Sequence, residues 1–93
     1  MIVLVKSAPD TTDGMRGIAL AREGGADLIL LQNGVFFGQK GRLLDFQGRV
    51  YVLGDDKRLR GLKDSEMDAR ARTIDYDKLT DIITEGENVV GIF

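Results

Sequence analysis

Apolar residues in this chain come in short continuous blocks separated by polar, Gly-rich stretches. Ile2-Val3-Leu4-Val5, Leu28-Ile29-Leu30-Leu31 and Val50-Tyr51-Val52-Leu53 are each apolar throughout. Runs of this length with no polar alternation suit strands buried on both faces, as in the interior of a parallel sheet. The first block ends at Lys6-Ser7-Ala8-Pro9-Asp10, where Pro9 removes an N–H donor and holds Ala8 extended. The second, taken as Asp27–Leu31, stops on Gln32-Asn33-Gly34, residue types that turn the backbone sharply, and apolar residues resume at Val35, Phe36 and Phe37.

Between these blocks the period changes. Met15, Ile18, Ala19 and Arg22 recur at helical spacing after three candidate N-caps (Thr11, Thr12, Asp13), and Gly24-Gly25 supplies a stop. Gly14 and Gly17 each weaken that helix by about 1 kcal/mol relative to Ala, so a loop ordered only by packing is the alternative. Residues 35–44 stay ambiguous: Val35, Phe36, Leu43 and Leu44 fit one helical face, but Gly38 and Gly41 interrupt it, and 37–48 has no assigned structure. Gly54-Asp55-Asp56 is expected as a turn with an N-cap, followed by a short helix over Lys57–Leu62 broken at Gly61. Residues 63–72 are expected to be helical, with Met67 and Ala71 facing inward and Thr73-Ile74 a short fourth strand. Asp75 caps a final helix carrying Tyr76, Leu79, Ile82 and Ile83 at helical spacing, stopped at Gly86. Val89–Phe93 is a last strand or an apolar tail.

The alternation of strands and helices predicts a single domain over 1–93. Its fold class is α/β, a three-layer α/β/α arrangement with a mostly parallel sheet of about five strands and helices on both faces. Composition then narrows the chemistry. The chain of 93 residues has neither Cys nor His. Thiolate nucleophiles, imidazole bases, disulfides and Cys/His zinc sites are thereby excluded. Met1–Val5 lacks the basic region of a signal peptide, no apolar run is long enough to span a bilayer, and a cytoplasmic location without membrane contact is expected. The formal charge of −2 gives no global drive toward nucleic acid, and there is no direct nucleic-acid motif. Even so, nine of the thirteen Lys/Arg residues fall between Lys40 and Arg72.

Leu30-Leu31-Gln32-Asn33-Gly34-Val35, then Val50-Tyr51-Val52-Leu53, Asp56, Arg60-Gly61-Leu62 and Ile74-Asp75-Tyr76 with Leu79 form an ordered set. That set resembles the DsrH/TusB family of the DsrE/DsrF/DsrH superfamily of sulfur-relay subunits, over nearly the whole chain. Leu59 departs from the pattern, since relatives usually carry a small alanine there, and 37–48 fits loosely. The resemblance implies a DsrEFH-like domain that assembles with similar subunits. In TusBCD-like and DsrEFH-like assemblies three related chains form a dimer of heterotrimers that passes persulfide sulfur onward. One branch ends in tRNA wobble-uridine thiolation, the other in dissimilatory sulfur oxidation. The sulfur-carrying cysteine belongs to the DsrE/TusD-type subunit, at a position that corresponds to about Leu53 here. The resemblance thus implies a subunit with no catalytic residue of its own.

Several residues are candidates for contact rather than catalysis. Gln32, Asn33 and Gly34 are either a plain turn or an edge for a partner or ligand, with Asp56 and Arg60 beside them. Asp55-Asp56 is a helix cap before it is a carboxylate pair. Lys57, Arg58, Arg60 and Lys63 form a solvated face or a cationic rim. Phe36 and Phe37, with the apolar 89–93 segment, are expected at an oligomer interface. Expected partners are DsrE/DsrF-like (TusD/TusC-like) subunits or further copies of the chain, with an indirect link to tRNA modification. No cofactor and no metal is expected. The alternative is a stand-alone homo-oligomeric domain binding a nucleotide or phosphate, although the Gly-rich 34–41 stretch matches neither the P-loop nor the dinucleotide fingerprint.

Overall fold

Strand-forming blocks and helical stretches alternate along the computed structural model, which describes residues 1–85 and 88–93. In chain order they are β1 (Ile2–Val5), α1 (Thr12–Gly24), β2 (Asp27–Leu30), a 3-10 helix (Gln32–Gly38), β3 (Val50–Leu53), α2 (Gly54–Leu59), a 3-10 turn (Asp64–Glu66), β4 (Ala71–Ile74), α3 (Tyr76–Thr84) and β5 (Val89–Ile92). The five strands form one sheet in the order β4-β3-β2-β1-β5, with every pairing parallel. The expected fold class is therefore observed.

Strand periodicity sorts the side chains onto two faces. Val3, Val5, Leu28, Leu30, Val50 and Val52 meet Ile18 and Ala21 of α1, with Val35 and Phe37 of the 3-10 helix, in the larger core. Ile2, Leu4, Ile29, Tyr51 and Ile74 form the smaller core on the opposite face, against Leu79 and Ile82 of α3. Handedness explains the unequal layers. The connections from β1 through β4 all step in one direction across the sheet, so right-handed crossovers stack on one face. The β4-to-β5 connection runs back past three strands, so the same rule throws α3 onto the other face.

Local chemistry sets the helix ends. Thr11 Oγ1 accepts from the Gly14 N–H at 3.0 Å, and Gly25 closes α1 in the left-handed conformation (φ 62°), its N–H turned to the Ala21 and Arg22 carbonyls. Gly17 is a packing glycine: a Cβ there would lie 2.8 Å from Val5 Cγ2 and 2.9 Å from Phe93 Cβ. The last residue thus tucks between α1 and the sheet, and the 89–93 segment is a strand, not a tail. Asp75 Oδ1 accepts from the Lys78 N–H at 2.8 Å and caps α3. The expected stop at Gly86 lies outside the described residues.

Three expectations are corrected. The second helix begins at Gly54, not Lys57, and neither Asp55 nor Asp56 caps it, because Leu53 stands at the cap without a side-chain bond. The 63–72 stretch is not helical beyond the turn at Asp64–Glu66. Its backbone pairs instead with the segment after the first 3-10 helix: Lys40 N–H donates to the Glu66 carbonyl at 3.0 Å and Asp68 N–H to that of Gly38 at 2.7 Å. Met67 is buried as expected, but from an extended segment bridged to Gln39, and Ala71 belongs to β4. The ambiguous start of 35–44 is the rest of a 3-10 helix that also absorbs Gln32-Asn33-Gly34. Among the described residues no helix is long and apolar enough to cross a membrane.

Candidate functional site

The carboxyl ends of β2 and β3 deliver the 3-10 helix and α2 side by side, which brings together five residues singled out from the sequence. β2 ends at Leu30, and the Leu31 N–H reaches back to the Val5 carbonyl at 2.9 Å. Gln32 then takes a positive φ of 47°. For a residue with a Cβ this conformation costs on the order of 1–3 kcal/mol and persists only where its surroundings hold it. Here the holder is Asp56, whose Oδ2 accepts the Gln32 N–H at 2.7 Å. Charge-assisted bonds of this kind contribute about 1.5–3 kcal/mol, enough to offset the strain.

Arg60 completes the junction. Its Nε donates to Asn33 Oδ1 at 2.9 Å, and its Nη1 donates to the Asp56 carbonyl at 3.1 Å. The Arg60 and Asp56 side chains also lie within ion-pair range, Nη1 to Oδ1, at 3.9 Å. Gly34 is fixed by close approach: a Cβ there would sit 2.0 Å from the Val5 carbonyl oxygen. Gln32 and Asn33 are exposed while Gly34 and Asp56 are buried. The arrangement is a braced edge. It presents two side-chain amides outward and keeps the carboxylate inside.

Three of the four bases of the cationic rim are held by intramolecular contacts, Arg60 as described above. Arg58 bonds Asp55. Lys57, buried in spite of its charge, directs Nζ to Asp64 and to Thr73 Oγ1. The hydrogen bond from Lys57, and after it that ammonium's charge, hold the exposed Asp64 carboxyl below its ordinary value of 3.8. Lys57 was grouped in the sequence with solvated bases, and only the three-dimensional neighbourhood of Thr73 distinguishes it.

Of the two phenylalanines expected at an oligomer interface, only Phe37 is fully withdrawn from the surface. Phe37 belongs to the larger core, and Phe36 is half-buried against it. Leu53 is buried at the end of β3, 2% exposed. Leu59, by contrast, is 81% exposed on α2, directly before Arg60. Its departure from the family's small residue was the one signal in the sequence for an apolar knob at this edge. Among the described residues no group of three or more His, Cys, Asp or Glu could hold a metal ion.

The family model for DsrH-like proteins matches residues 7–89 of this chain. The chain belongs to the DsrH-like family. Membership relates it to sulfur-relay proteins. Among curated proteins none matches the sequence. Of solved structures, the NMR structure of protein Tm0979 from Thermotoga maritima is similar to this DsrH-like chain with a TM-score of 0.69 and 23% identity, over 98% of this chain and 100% of that one. At that identity the likeness concerns the fold.

Proposed function

We propose that this DsrH-like protein is a non-catalytic subunit of a sulfur-relay complex, one that assembles with cysteine-bearing DsrE/DsrF-like chains and serves persulfide transfer toward tRNA wobble-uridine thiolation. The observation that carries this reading is Leu53. The resemblance puts the sulfur-carrying cysteine of DsrE/TusD-type subunits at about this position, which here is a buried leucine in a chain with no cysteine at all. No persulfide can form on such a chain, so its part is to shape and hold the assembly.

The surface supports an assembly role. Gln32, Asn33, Arg60 and Leu59 give the carboxyl edge polar contacts around an exposed leucine. A second apolar area lies on the α3 face, where one short helix covers the sheet: Tyr76 and Ile83 on α3 and Ile92 on β5 are 55%, 37% and 64% exposed. With Phe37 in the core, these residues join the half-buried Phe36 as candidate contacts for other subunits.

The test is co-expression with DsrE-like and DsrF-like chains, followed by persulfide loading from a cysteine desulfurase with labelled sulfur. The expected result is a stable complex in which label appears on the partner's cysteine, never on this chain, and in which omitting this chain slows onward transfer. A protein that stays apart from both partners, or whose omission leaves transfer unchanged, would overturn the reading.

A further inference from the structure

The bases near the carboxyl edge are mostly paired, whereas at the opposite, amino end of the sheet Arg49 and Arg72 are not. Two adjoining hollows share Arg49. One, of about 300 Å³, lies between Arg49, Arg70 and Arg72 where β3 and β4 begin. The other, of about 250 Å³, runs between Arg49, Tyr51 and Lys78, with Asp27 and Glu85 on its wall.

The three arginines differ in what their guanidiniums already do. Arg70 is fully engaged: Nη1 donates to the Phe46 carbonyl at 2.6 Å, Nη2 to that of Leu43 at 3.0 Å, and Nε faces Asp68 Oδ1 at 3.4 Å. It fixes the loop that walls the first hollow. Arg49 and Arg72 have no side-chain hydrogen bond or ion pair among the described residues. The carboxylate nearest in sequence pairing to Arg49, that of Asp27, accepts the Arg49 backbone N–H at 2.8 Å instead. In a chain with 15 acidic residues and 13 basic ones, two unpaired guanidiniums facing one concavity, with Lys78 along its continuation, are a local reversal of charge.

We propose that this Arg49–Arg72 groove binds the phosphate groups of a phosphorylated ligand. A terminal phosphate offers three acceptor oxygens, and a phosphodiester two, so either can accept from two guanidinium forks together. The hollow between the arginines is at the lower end of ligand-pocket volumes and takes a phosphate with part of the group attached to it. Arg49 and Arg72 hold the phosphate, and Lys78 meets a second charge farther along. The site is at the far end of the strands from the Gln32–Arg60 edge and is independent of the relay reading.

Two probes separate the sources of phosphate: inorganic diphosphate, and a five-nucleotide oligoribonucleotide, each titrated at low salt and followed by backbone amide shifts and calorimetry. Amide shifts centred on Arg49, Val50 and Arg72 are expected. Affinity should fall at least tenfold in R49Q/R72Q but not in R16Q/K40Q, which loses equal charge elsewhere. R72Q alone, on an exposed edge strand, gives an intermediate loss. Diphosphate binding assigns the groove to a free phosphorylated molecule. Binding by the oligonucleotide alone assigns it to a phosphodiester strand, with a salt slope of about −2 for three cations. If neither probe binds, or if R49Q/R72Q binds as tightly as the control variant, the proposal is wrong.

Discussion

Asp56 shows how a single carboxylate can decide a junction. It lies inside the first turn of α2, yet its oxygen is spent on the N–H of Gln32, 24 residues earlier. Asp56→Ala would leave that N–H without its acceptor and Gln32 strained, at a cost of about 2 kcal/mol in urea denaturation. Asp56→Asn keeps an acceptor oxygen and should lose about half as much. Gly34→Ala is expected to be worse, near 3 kcal/mol, because its Cβ would press on the Val5 backbone, which cannot yield as a side chain can. Asp64 gives a pH signature. Its carboxyl is lowered in the folded state, so the unfolded chain binds the proton more readily. Its contribution is complete above the ordinary value of 3.8 and disappears as pH falls through the lowered folded value. Thermal melting of wild type and Asp64→Asn should differ at neutral pH and converge once the pH has fallen through the lowered folded value.

Among elements, those set by local pattern were legible. β1, β3 and α1 follow from apolar blocks, the Thr11 cap and the Gly24-Gly25 stop. The misread elements are those decided by distant partners. Residues 63–72 hold helix-compatible residues, but their backbone groups are claimed by Gly38 and Lys40, a pairing that no local period can reveal. The candidate edge shows the same division. Gln32, Asn33 and Gly34 could be placed at a strand end from the sequence, whereas their brace through Asp56 and Arg60 depends on where β3 delivers α2. The weakest layer is α3: none of its residues is fully buried, although with Leu31 it covers Ile2, Leu4, Ile29 and Tyr51. Removing its cap with Asp75→Ala should cost about 1 kcal/mol. Hydrogen exchange should then quicken first in α3, before the strands beneath it.

For the molecule as a whole, the two sheet faces have different tasks. One carries the larger core under α1 and the 3-10 helix, closed further by Leu43, Phe46, Leu62 and Met67 from the connecting segments. The other is covered thinly and leaves Tyr76, Ile83 and Ile92 in solvent. Charged substitution there, Ile83→Glu with Ile92→Glu, should leave the monomer's circular dichroism intact while abolishing co-purification with DsrE/DsrF-like chains. Retained assembly in that variant would move the contact to the Leu59 edge.

The place of β5 beside β1 has a mechanical consequence. These neighbours are parallel, and their hydrogen bonds run from the Ile2 N–H to the Asn88 carbonyl at 2.8 Å and from the Phe93 N–H to the Leu4 carbonyl at 2.8 Å. Traction applied between residues 1 and 93 pulls the two strands lengthwise past each other, so every bond across that seam is sheared at once and none can peel ahead of the rest. Phe93, wedged against Gly17, adds a steric stop to the slide. A chain held together by modest chemistry is therefore built to resist being drawn apart along this one axis.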